Sequence, residues 1–503
     1  MPENIKALLK KLSTKMDTNN ILTAQEHLYV YSHIGPFGVK SQNKPLAVIK
    51  IKPEEEEEVK RLLTGEKILV LGNDEFREIK SEFHEPYILL DLQEPFTVKK
   101  LEKYLSTLYE NDKITKKELK KAKSYPQWVI KYIQTRDGYK INRTEEDKGF
   151  CVVQNYFNDI QTYSSKGRLT LSKALQKGDL SQSETLIDSI YSCTACGQCY
   201  DQLSLDSLEI NNALIKTRYK IAQEGNVPRK FEVARKNIRE FGNPMGLLPE
   251  DRNLWIEEEV NKYSYEDNPV LYWTGCITSY RLPEIIKSTT QILEKIGADF
   301  GILAEKESCC GLLLYLSGHW EDAVDNGKQL IQSLQNVEHV ITSCAGCYYA
   351  FSRLYPQLGL NLPFKVSHTS QIVQKALETT QIRLKKDNGA YFWHDPCDLG
   401  RHCQVYDPPR YVLRSIPGVK LIETTLNREH TICCGAGGGL WMYNEDATNY
   451  VSNMKITEAT PKNIDAIITG CPTCILSMRN TIREKNLNLE VLDLVEVFDN
   501  CLF

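Results

Sequence analysis

Ten of the sixteen cysteines in this 503-residue sequence belong to one pattern that is written twice in its C-terminal half. The first copy runs Cys276, then the adjacent Cys309 and Cys310 with Gly311, then Cys344-Ala-Gly-Cys347. The second runs Cys397, then Cys433-Cys434-Gly435, then Cys471-Pro-Thr-Cys474. Corresponding cysteines lie 121, 124 and 127 positions apart, which marks an internal duplication whose loops have drifted by a few residues. Five sulfurs arriving from three separate loops have a restricted chemistry. Structural zinc closes with four ligands, so a fifth thiolate would be surplus. A multi-iron sulfide cluster can use all five. Disulfides and structural zinc are the plainer readings. Vicinal and C-x-x-C cysteines suit metals better than disulfides, and the opening of the chain lacks the apolar stretch of an export signal; zinc in one copy stays open.

The elements that must carry these cysteines can be read from the flanking residues. PVLYWTGC, HVITSC, AYFWHDPC and AIITGC are short apolar runs of strand type, each ending on a cysteine of the pattern. LPEIIKSTTQILEKIG and PPRYVLRSI carry helical spacing. Each copy is therefore expected to be an α/β unit with its cysteines at strand ends, where such sheets place their sites.

At these residues the sequence resembles the CCG-domain iron-sulfur oxidoreductases, typified by the catalytic subunit of heterodisulfide reductase and the iron-sulfur subunits of glycolate, lactate and glycerol-3-phosphate dehydrogenases. The second copy carries the resemblance most fully, in HDPCDLGRHCQVYDPPRYVLRSIPGVKLIE, CCGAGGG and GCPTC. It departs at Asp398, where many relatives have a histidine, and at Cys403, which is additional. The resemblance implies a 4Fe-4S cluster of noncubane type at each motif. Cys276, Cys309, Cys310, Cys344 and Cys347 would hold one; Cys397, Cys433, Cys434, Cys471 and Cys474 would hold the other.

Upstream, SSKGRLTLSKALQKGDL and YSCTACGQC through NVPRKFEVARKNIREFGNPMG resemble the family's two-cluster ferredoxin-type domain. The apolar residues recur at three and four, so this region should be helical. Against the first cluster-binding run only Cys151 matches, with Gln154, Phe157 and Gln161 in the other three places. The second run keeps Cys193, Cys196 and Cys199 and has Leu203 in its fourth place. A 3Fe-4S cluster on the triplet, a 4Fe-4S cluster completed by Cys151 or a non-cysteine group, and an empty relic are the open alternatives.

Residues 1 to about 145 contain no cysteine. PLAVIKI, KILVLG and YILLDL read as buried strands and PEEEEEVKRLL as a helix with an acidic first turn, as the helix dipole favours. LYVYSHIGPFG with KPLAVIKIKPEEEEEVKRLL is faintly similar to the opening of the flavin-binding domain of FAD-linked hydroxyacid oxidases, which suggests a docking module for a flavoprotein. Lys113 to Lys123 is an exposed helix or linker. Composition is that of an ordinary soluble protein, 41% hydrophobic and 25% charged with a net charge of −4, which argues against a nucleic-acid partner. No apolar run approaches the length needed to span a bilayer. The expected setting is a reducing cytoplasm, with membrane association only through a complex.

Around the second motif, His394 and His402 are open as proton donors or odd ligands, with hydrogen-bond donation near the metal the preferred reading; Arg401 is expected to offset thiolate charge, and Cys403 is a spare ligand or, by preference, a buried free thiol. Cys501 receives no role. The run Gly435 to Gly439 lacks the spacing of a phosphate loop and is expected to bring backbone N–H groups to the sulfurs.

The expected fold is α/β: two CCG units, 266–385 and 386–503, related by a pseudo-twofold axis. A helical, degenerate ferredoxin-type domain at 146–265 and a small α/β domain at 1–145 precede them. The expected function is an iron-sulfur oxidoreductase subunit that takes electrons through the triplet to reduce or form a disulfide. The alternatives are an electron relay from a flavoprotein dehydrogenase to a quinone, and a zinc-stabilised scaffold without catalysis. Flavoprotein or other iron-sulfur subunits are the expected partners.

Overall fold

The computed structural model describes residues 21–22, 24–27, 47–51, 68–71 and 88–92, and then 151–503 apart from 159, 200–206, 255–262, 264–267 and 425. The chain divides into two compact units, one of residues 1–189 with 201–206 and one of 190–200 with 207–503.

The first unit contains a four-stranded sheet of β1 (Ile21–Leu22), β2 (Ala47–Ile51), β3 (Ile68–Leu71) and β4 (Ile88–Leu92), in the order β1-β2-β4-β3. β2, β3 and β4 pair in parallel, and β1 is antiparallel to β2. The three apolar runs expected as strands are these three. The acidic helix expected at 53–63 and the lysine-rich stretch 113–123 lie outside the described residues. Helices Val152–Tyr156 and Ser165–Lys177 follow, the second opened by the Ser164 side chain accepting from Gly167 N and closed by Gly178 at a φ of 79°.

In the second unit, helices Ser207–Gln223 and Arg229–Phe241 lead into two parallel sheets. The first has β5 (Val270–Trp273), β6 (His339–Thr342) and β7 (Lys365–His368), in that order, with Gly301 forming a parallel bridge to Leu271 on the outer side of β5. The second has β8 (Ala390–Trp393), β9 (Lys420–Ile422), β10 (Ala466–Thr469) and β11 (Glu490–Asp493), in the order β11-β10-β8-β9. The orders correspond: β5 and β8 are each flanked by an outer partner and by the strand that ends on the C-x-x-C cysteines. Parallel strands covered on both faces are apolar throughout, which is why β10 reads AIIT with all four residues buried.

The two sheets share their packing. Helix Pro283–Lys295 lies against Leu494–Asn500, and Thr369–Thr379 lies against Asp407–Ser415. His368 Nε2, at the end of β7, is 3.0 Å from Gly470 O in the turn after β10. Arg479 pairs with Glu284 at 2.6 Å across the same boundary. A fully buried guanidinium, Arg218, ties the segment 190–193 to the rest: it donates to the carbonyls of Ile190, Tyr191, Cys193, Leu316 and Gly438 at 2.7 to 3.3 Å. Among the described residues no helix is long and apolar enough to cross a membrane.

Candidate metal centres

β5 runs into Thr274 and Gly275, and the chain turns there into the helix that begins at Cys276. What holds this turn is a buried carboxylate. Glu307 accepts from Thr274 N and Gly275 N, both at 2.8 Å, and from Thr274 Oγ1 at 2.9 Å, while Arg252 Nη1 donates to it at 2.8 Å. Arg252 and Glu307 are both essentially inaccessible to solvent. β6 likewise ends one residue before Ser343 leads into Cys344, which caps the helix that carries Cys347.

These turns bring the five thiols into one chain of contacts. Cys309 touches Cys276 and Cys310, Cys310 reaches Cys347, and Cys347 reaches Cys344. Hydrogen bonds from Cys309 and Cys347 pull Cys310 down to about 6, whereas contact with Cys309 and then burial push Cys276 well up. One proton-poor sulfur therefore sits amid neighbours that donate to it.

The second copy repeats the arrangement with other residues. Asp395 does the work of Glu307: it receives Arg410 at 2.7 and 2.8 Å, Arg428 N at 2.7 Å and Trp393 Nε1 at 3.0 Å. The thiol chain runs Cys397, Cys433, Cys434, Cys474, Cys471. Cys434 is the low member, at about 5, because Cys433 and Cys474 donate to it. Gly435 N approaches Cys433 Sγ at 3.4 Å and Ala436 N hydrogen-bonds Cys434, the backbone-to-sulfur contacts expected of the glycine run. Gly437 and Gly438 serve another purpose. A Cβ on them would stand 2.5 Å from Thr194 O and 2.4 Å from Cys193 O, so this part of the run makes room for the loop of the cysteine triplet.

That loop is pinned by its backbone. Arg218 holds Cys193 O at 2.7 Å, His402 Nε2 lies 3.1 Å from Ala195 O, and Arg401 Nη1 donates to Cys196 O at 3.1 Å. The Cys196 thiol ends against Cys433, and that contact, with burial, pushes it well up. Sequence reasoning treats the triplet as a site of its own; the structure sets one of its thiols against the second five-cysteine cluster. Cys151 belongs to the first unit, where Arg168 Nη1 approaches its sulfur at 3.4 Å. Leu203 lies outside the described residues. Cys403 is buried beside Ser352 Oγ at 3.6 Å, and burial raises it to about 11.

Two polar side chains of the second copy stand out. His394 is 1% exposed with neither ring nitrogen hydrogen-bonded, and one of its nitrogens and the sulfurs of Cys434 and Cys474 lie within 4.8 Å of one another. Burial, then Lys455, depresses its pKa well below the ordinary value, so the imidazole is neutral. Lys455 is fully buried, 3.5 Å from Thr431 Oγ1 and over the Phe392 ring at 4.7 Å, and burial lowers it to about 8. His394 was visible in the sequence beside Cys397; Lys455 was not, since a lone lysine in a helix reads as solvated surface. The Arg252–Glu307 and Arg410–Asp395 pairs were missed as well, the only trace of them being an acidic residue two positions before Cys309 and before Cys397.

No cysteine of the two five-cysteine sets is in a disulfide, and the thiols of both sets are wholly or largely buried and mutually in contact. Five sulfurs per set, with backbone N–H groups aimed at sulfur in the second, match what an iron-sulfur cluster takes from a protein. The family described as the cysteine-rich CCG domain matches residues 270–352 and 391–479. The dihydromethanophenazine:CoB–CoM heterodisulfide reductase of Methanosarcina barkeri has one polypeptide that is 30% identical over 359 residues, 69% of this chain and 85% of that polypeptide. The EtfAB:quinone oxidoreductase of Syntrophomonas wolfei is 29% identical over 331 residues, 62% of this chain and 46% of that protein. The probable iron-sulfur-binding oxidoreductase FadF of Bacillus subtilis is 28% identical over 326 residues, 62% of this chain and 45% of that protein. The chain belongs to the CCG-domain iron-sulfur oxidoreductase family.

Proposed function

We propose that this chain is the iron-sulfur subunit of a heterodisulfide reductase-like complex, with a 4Fe-4S cluster on each five-cysteine set and electrons arriving by way of Cys193, Cys196 and Cys199. The observation that carries the reading is the pair of matched thiol chains, each centred on the second cysteine of its vicinal pair. Such clusters, when bound, would supply single electrons, and two of them would supply the pair that reduces one disulfide, with two protons, to two thiols. The residues of this chain have separate tasks in that scheme. Arg252–Glu307 and Arg410–Asp395 fix the turns that deliver Cys276 and Cys397. Arg401 and His402 hold the backbone of the triplet, so that Cys196 faces the second set. Asp398, raised to about 6 by burial, lies 3.8 Å from the Cys397 sulfur.

The four-domain division at 145, 265 and 385 and the pseudo-twofold relation of the CCG units belong to the same reading. So does a partner flavoprotein or further iron-sulfur subunit. A second reading, a relay from a flavoprotein to a quinone, is favoured by the likeness to the EtfAB:quinone oxidoreductase. Anaerobic protein should be analysed for iron and acid-labile sulfide and then titrated with thiols and disulfides under EPR. Sulfide at both sets, with a thiol-dependent signal lost in Cys434→Ser, is the expected result. Zinc without sulfide would sink the iron-sulfur assignment. No response to thiols, with rapid reduction through a copurifying flavoprotein, would replace disulfide chemistry by the relay.

A further inference from the structure

An imidazole enclosed in the protein, with no hydrogen-bond partner for either nitrogen, is costly to leave that way. His394 is placed there firmly. It follows β8 directly, and its backbone N–H donates to Ile468 O at 2.8 Å. Its side chain then points at Cys434 and at Cys474. The first copy handles the same place differently. Trp273 stands three residues before Cys276, as His394 stands three before Cys397, and it is fully buried with its ring edge-on to Phe351 at 5.1 Å. An indole offers only an N–H donor and no lone pair for a metal; a neutral imidazole offers one.

We infer that His394 is a nitrogen ligand of the metal centre held by Cys397, Cys433, Cys434, Cys471 and Cys474, so that the second site is mixed nitrogen and sulfur while the first is all sulfur. This rests on the iron-sulfur reading above. The five thiolates are common to both sites, and the imidazole is an additional neutral donor at the second.

The test is a nitrogen hyperfine measurement on full-length, anaerobically purified protein carrying Cys310→Ser, which leaves the second centre as the CCG signal. Protein grown with ring-¹⁵N histidine should show the coupling of a directly bound nitrogen change from the ¹⁴N to the ¹⁵N pattern, with no dependence on any variant at His394 folding. His394→Ala should abolish that coupling, and His402→Gln should leave it. Iron and sulfide at the second site with no such coupling, or a coupling that survives His394→Ala, would overturn the inference and leave the iron-sulfur assignment standing. Absence of iron from the second site, read as an iron content that Cys434→Ser does not change, would overturn both.

Discussion

At the end of β5 the chain places Trp273, and just past the end of β8, at the same distance before a cysteine, it places His394. The same exchange recurs on the helices behind. Leu330 is the eleventh residue of the 14-residue helix Trp320–Ser333 and Lys455 is the eleventh of the 14-residue helix Glu445–Glu458; both are buried. The first set of thiols thus has an aromatic and an aliphatic side chain where the second has an imidazole and an ammonium group. The framework does not change with them: a strand, a turn clamped by a buried carboxylate–arginine pair, and a cysteine. The scaffold sets where five sulfurs meet, and two side chains outside the cysteine pattern set how readily that place accepts negative charge.

The strongest way to break this comparison is to remove the central thiol of each copy in turn. Cys434→Ser should empty the second site and leave the first, and Cys310→Ser should do the reverse, each removing about half of the iron and sulfide bound by the CCG motifs. Loss of both sites in either variant, measured by metal analysis and EPR, would mean that the copies are not independent. Next in size is the clamp. Arg252→Met leaves Glu307 buried and without its cation, which should cost about 3–5 kcal/mol in urea unfolding. Arg410→Met should cost a similar amount through Asp395. A much smaller loss for one of the two would show that its carboxylate is held well enough by its backbone donors alone.

A smaller effect is expected from Gly438→Ala, which combines a φ of 62° with a Cβ 2.4 Å from Cys193 O. The strain should be about 1–3 kcal/mol, and the 193–199 loop should lift away from the second copy. Alkylation of Cys196 in apoprotein should then quicken while that of Cys309 and Cys310 stays unchanged; equal rates would detach the loop from the comparison. The smallest effect is electrostatic. Lys455→Met removes a buried cation that acts on Cys434 and Cys474, and it should lower the potential of the second centre by about 60 mV, a tenfold change for a one-electron couple. The first centre should not move.

Much of this was legible in the sequence, for a physical reason. Parallel strands buried on both faces are apolar from end to end and stop at the site, so AIITGC and HVITSC announced both a strand and the cysteine that terminates it. The two five-cysteine sets were legible because their spacing is repeated. The contact of Cys196 with Cys433 was not, since it depends on a loop being laid across Gly437 and Gly438 by backbone contacts, and backbone carbonyls carry no side-chain signal. The buried arginine pairs were hidden for another reason. Arg252 and Glu307 are 55 positions apart, and each alone looks like one more surface charge.

Arg218 donates to five carbonyls, and its guanidinium also lies over the Tyr191 ring at 5.0 Å. A carbonyl is the same whatever residue carries it. The bond to the Cys193 carbonyl therefore holds whichever residue stands at 193, whereas Tyr191, fully buried and donating to Ser317 O at 2.9 Å, does not share that freedom. Substitution of Arg218 itself has no such latitude, because one change would release all three segments together.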